Sequence, residues 1–218
     1  MQKIKEVLSA TVVIVVILFL GLVPVERSLL TVKWGNLGWQ MVQAGVIDQE
    51  KFEDLYKERG GLGKDGKSIL SGEMREVDIT PENSAMMLNM LWAFGLGNKN
   101  PILEEGPMMD PKYGGAENFA STGGWILAKG GAMEHYGMHQ FVKLTDEEQA
   151  LVEKVAKNVY RPCCKNSTYF PDCNHGMAML GFLELLAHGG ASEKEMYEAT
   201  QKLNDYWFPP VKNSSCGA

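Results

Sequence analysis

From Val7 to Val25 the chain reads VLSATVVIVVILFLGLVPV, nineteen residues without a charge. A helix needs about 20 apolar residues to cross a hydrocarbon core of ~30 Å. An amphipathic helix of a soluble domain would carry a polar face, and this run has none. The run therefore predicts a single transmembrane helix. Lys3 and Lys5 precede it, so the positive-inside rule leaves the amino end in the cytoplasm and puts everything after it outside. The exit reads GLVPVERS, without a small-x-small cleavage site, and the first cysteine of the chain is Cys163. An uncleaved signal-anchor over residues 1–28 is the expectation. A cleaved signal peptide is the alternative, and it exports the same domain.

The 218 residues are 45% hydrophobic and 22% charged, which excludes wholesale disorder. The formal charge is −6. Beyond residue 27 there remain 18 basic and 25 acidic residues, a net of −7. No cluster of Lys and Arg is present to displace phosphate counterions, so nucleic acid is excluded as a partner. The expected partners are the membrane and other proteins of the envelope. Residues 29–210 read as one exported domain and residues 211–218 as a flexible tail.

The domain punctuates as an all-α fold of about six helices, with at most two short strands. Leu30 to Ala44 carries Trp34, Leu37, Met41 and Val42 at helical spacing, stopped by Gly45. Asp48 can cap a helix from Gln49 to Arg59. Lys64 to Ile79 reads as a small hairpin or an irregular loop. Thr80-Pro81-Glu82 predicts a helix start with Pro in its first turn. Asn98 to Gly131 is a long Gly- and Pro-rich irregular segment, with a short helix at Trp125–Ala128. Thr145 and Glu148 make a capping box, as do Ser192 and Glu195. Between those two helices lies an apolar one, Asn174 to His188, which should pair with the last helix as an antiparallel hairpin.

Residues 161–179 read RPCCKNSTYFPDCNHGMAM and hold three of the four cysteines. The pattern Cys163-Cys164-x8-Cys173-x-His175 lies on a loop that feeds a helix N-terminus. Unpaired N–H groups and the helix dipole favour an anion there. A thiol so placed tends toward the thiolate, the form that binds metal or attacks an electrophile. Three thiolates and an imidazole match a Cys₃His tetrahedral site. Met179, four residues beyond His175 on the same helix, would shift the preference toward Cu(I). Against this, adjacent cysteines point apart in most backbones, and the usual zinc spacing is C-x₂₋₄-C. A disulfide from Cys173 to one of the vicinal pair is the structural alternative on an oxidising side of the membrane.

His135 and His139 are four apart beside Glu134 and are secondary metal candidates, although Gly137 between them weakens a helical reading. Glu184 lies nine residues beyond His175, about 180° round a 3.6-residue helix. That rotation puts it on the solvated side and outside the ligand set. His188 ends the same helix as a favourable partner for its dipole. The sequence thus points to a membrane-anchored, extracytoplasmic domain that binds copper or zinc, for metal handling or metal-dependent catalysis. The alternatives are a thiol–disulfide redox protein using Cys173 with a vicinal cysteine, and an interaction module of an envelope complex stapled by a disulfide.

Overall fold

The structure, a computed structural model, describes residues 28–209. The expected anchor, the tail and Cys216 lie outside the described residues. Among the described residues no helix is long and apolar enough to cross a membrane.

The described chain is mostly helical. Two three-residue strands, β1 (Thr31–Lys33) and β2 (Glu76–Asp78), pair antiparallel with Val32 opposite Val77, both buried. Nine α-helices follow in chain order among the described residues: α1 (Leu37–Ala44), α2 (Gln49–Lys57), α3 (Gly63–Ser71), α4 (Ser84–Gly97), α5 (Pro101–Glu105), α6 (Ala120–Gly123), α7 (Asp146–Asn158), α8 (Asn174–His188) and α9 (Glu193–Trp207). Short 3₁₀ turns at Pro107–Met109, Pro111–Tyr113, Ala116–Asn118 and Ala132–Glu134 fill the Gly- and Pro-rich stretch.

The caps read from sequence form as anticipated. Asp48 accepts from the N–H groups of Glu50 and Lys51. Thr145 with Glu148, and Ser192 with Glu195, close reciprocal capping boxes at α7 and α9.

Other expectations need correction. Leu30–Ala44 is not one helix, because Thr31–Lys33 are drawn into the sheet and Gly35 takes a left-handed φ of 59° before α1. Lys64–Ile79 contains a helix and then a strand whose partner lies far upstream. The helix after Pro81 starts later, at Ser84. Asn83 spends its side chain on the preceding turn, accepting from Thr80 N at 2.9 Å and donating to Asp78 O at 2.9 Å. Trp125–Ala128 is not helical: Trp125 Nε1 donates to Val46 O at 2.8 Å, and the short helix lies instead at α6.

The interior is organised by α4 and α8. Every residue of α8 from Gly176 to Ala187 is buried, as befits a helix that is apolar on all sides. Two glycines let the pair approach closely. A Cβ at Gly95 would come within 2.2 Å of Met177 O, and one at Gly181 within 2.7 Å of Leu91 O. Helices α7 and α9 pack on α8 as well, and Trp207 Nε1 ties the end of α9 to Ser84 O at the start of α4, at 3.2 Å.

Because α8 has no solvated side, Glu184 is fully buried, which overturns its expected exposure. Its carboxylate accepts from Asn98 Nδ2 and, at 2.9 Å, from Asn100 Nδ2. Burial pushes its pKa up to about 8 against the pull of those two amides. An acid that titrates higher folded than unfolded holds a proton the unfolded chain has lost. Its contribution is therefore largest below about pH 4.5 and declines as pH rises to about 8. The fall is of the order of 5 kcal/mol at most. Glu184→Gln should flatten urea-unfolding stability across that range relative to the parent, and an unchanged slope would contradict the assignment.

Candidate metal centre

A tight hairpin presents the vicinal cysteines. Tyr160 and Ser167 form an antiparallel bridge, and Arg161 N donates to Asn166 O at 3.1 Å. The tip closes when Lys165 N reaches Arg161 O at 2.8 Å, with Lys165 itself left-handed at a φ of 61°. Cys163 and Cys164 ride on that tip. The chain then returns through Thr168–Asp172 to α8, where Cys173 is the extended N-cap residue. His175 follows in the first turn, its ring packed on Trp207 and Phe208 with centroids 5.7 and 4.5 Å away.

The fold thereby brings together residues that the sequence only aligned. The Sγ atoms of Cys163 and Cys173 and a ring nitrogen of His175 all lie within 4.8 Å of one another, close enough to hold a metal ion. Cys164 joins Cys173 and Asp172 in a second group by the same measure. Cys163, Cys164 and Cys173 are free thiols. The ring nitrogens of His175 have no hydrogen-bond partner among the described residues. Burial first, and then the nearby Arg161 charge, lower its pKa, which keeps the imidazole neutral as a ligand must be. Partial burial and the electrostatic effect of Cys173 push the Cys163 thiol up to about 12, so binding there must displace a proton.

Sequence reasoning missed the residue that organises the loop. The Arg161 side chain is fully buried. Its Nε donates to Asn166 O, and its Nη2 to Ser167 O, Phe170 O and Asp172 Oδ1. Its Nη1 points at Cys173 Sγ from 3.0 Å. A guanidinium N–H to sulfur becomes a charge-assisted bond when the sulfur carries negative charge. Gly176 makes room for this: a Cβ there would stand 2.0 Å from Arg161 Nη1. The only sequence signal was an arginine before the cysteine pair and a glycine three residues after Cys173. Asp172 is committed too, since Oδ1 is paired to Arg161 at 2.8 Å and Oδ2 accepts from Asn166 Nδ2 at 2.7 Å.

Of the secondary candidates, His135 and His139 do not join the cluster. Met179 is buried in the core. His135 and His139 pair with each other, ring nitrogens 3.0 Å apart. His135 Nε2 faces Lys129 O at 2.8 Å, and a carbonyl only accepts, so that nitrogen carries the proton. In the neutral pair His135 Nδ1 then accepts from His139 Nε2. The two rings stack, His139 also stacks on Phe141, and the segment around them is a 3₁₀ turn followed by left-handed Gly137, not an α-helix. The pair fastens loops together. His188 lies 3.7 Å from Glu148 at the end of α8.

Comparison of the chain with protein families, with curated protein sequences and with solved structures finds no match.

Proposed function

We propose that this chain is a membrane-anchored, extracytoplasmic metal-binding protein that holds one soft ion, copper(I) or zinc, between Cys163, Cys173 and His175, and serves metal handling. The observation that carries the reading is the convergence of two sulfurs and an imidazole within 4.8 Å. Sulfur and imidazole donors suit copper(I) and zinc, and disfavour magnesium and calcium. Two thiolates and one imidazole leave a coordination position open, as in catalytic zinc sites, so a bound ion would remain accessible for exchange or for polarising a small ligand. The exposed tip that carries Cys163 supports exchange. The charge-free run Val7–Val25, preceded by Lys3 and Lys5, supports the anchor and the outward orientation.

The test is metal analysis with thiol counting on one anaerobic preparation of the full chain in detergent. About one equivalent of copper or zinc, with Cys163 and Cys173 shielded from alkylation, is the expected result. No retained or titratable metal would overturn the reading. A second reading, thiol–disulfide exchange, is favoured by one observation: Cys173 has two other thiols within reach and a guanidinium beside its sulfur. It predicts instead a mixed disulfide trapped at Cys173 with a small disulfide substrate, resolved by a vicinal cysteine.

A further inference from the structure

Cys173 belongs to two donor groups. One joins it to Cys163 and His175, the other to Cys164 and Asp172. The neighbouring cysteines of the hairpin tip thus approach one shared sulfur with different third partners. The groups are unequal as ligand sets. The first offers two sulfurs and an imidazole whose ring nitrogens have no hydrogen-bond partner among the described residues. In the second the third member is the Asp172 carboxylate, a hard donor whose oxygens already accept from Arg161 and Asn166, so a soft cation there is held chiefly by the sulfurs of Cys164 and Cys173.

Resting on the metal-binding reading, we propose that Cys164 with Cys173 is the landing position for a soft cation delivered by a thiol-bearing carrier, and that the ion then moves to Cys163 and His175 while Cys173 stays bound. The transfer is ligand exchange without redox change. On landing, the Cys164 and Cys173 thiols each lose a proton as their sulfur–metal bonds form. The two carrier sulfurs leave and each takes one up. In the second step Cys163 gives up its proton and binds, the Cys164–metal bond breaks and Cys164 is reprotonated, and the neutral imidazole of His175 adds without proton change. The cation keeps its charge throughout.

The experiment follows copper(I) transfer from its glutathione complex to the full chain in detergent by stopped flow, with equilibrium affinity measured by competition against a copper(I) chelator. Cys164→Ser and Cys164→Ala, both at the hairpin tip, should slow transfer by about tenfold or more while leaving Kd within about twofold. Cys163→Ser and His175→Ala should weaken Kd by more than the roughly 10–100-fold typical of outer-shell losses. A Cys164 variant that weakens Kd as much as Cys163→Ser makes Cys164 a resident ligand and overturns the proposal. So does a Cys164 variant whose transfer rate matches the parent. A parent chain that does not bind copper(I) overturns this transfer proposal, and one that binds neither copper(I) nor zinc overturns the metal-binding reading itself, a distinct result.

Discussion

Cys173→Ser is expected to abolish metal binding at the proposed centre. The residue is common to both donor groups, so no rearrangement of the hairpin tip can replace it. Serine keeps the size but supplies a hard, protonated oxygen where a soft ion requires sulfur. The loss should exceed the 10–100-fold typical of outer-shell substitutions and bring metal content below stoichiometry. The fold should survive, because the Cys173 side chain makes no cap bond to α8 and a serine oxygen can still accept from Arg161 Nη1. Metal analysis beside thermal unfolding of the same sample checks both halves. Retention of a full equivalent by the serine variant would remove Cys173 from the ligand set.

Arg161→Met should be the most destabilising single change near the site. Methionine keeps the apolar stem but removes all the donors. It leaves three carbonyls and the Asp172 carboxylate without their shared partner. Breaking a buried pair by deleting one member costs about 3–5 kcal/mol. Arg161→Lys should rescue little, because an ammonium lacks the flat fork that meets the Asn166, Ser167 and Phe170 carbonyls and the Asp172 carboxylate together. Asp172→Asn should be milder, since an amide oxygen can still accept from Nη2. Urea unfolding of the three variants, with metal competition on those that fold, tests the order. Near-parental stability of Arg161→Met would show that the loop is held by something else.

Much of the fold was legible where its causes are local. Asp48, Thr145 and Ser192 announce their helices because a cap is settled within four residues. Asn174–His188 declared itself by an apolar run ended by Gly189-Gly190. The β1–β2 pair was not legible, since three-residue strands carry too little alternation and the partners are separated by α1, α2 and α3. Glu184 misled because helical rotation gives direction only relative to other side chains. It says nothing about what lies on the far side, and for α8 that is more protein. At the site, the donors could be named from spacing and residue type. Which vicinal cysteine faces His175, and that a buried arginine reaches Cys173 Sγ, depend on how the hairpin folds back onto α8.

The two walls of the centre differ in mechanical character. Cys173 and His175 open a helix whose next twelve residues are interior, so they are bolted to an element packed on all sides. Cys163 and Cys164 ride on an outer ribbon tip. One jaw is fixed and the other is compliant. As the seat of an ion, such a clamp would accommodate unequal radii by adjusting a single side, and strain from a misfitting guest would fall on the surface ribbon before it reached the packing beneath.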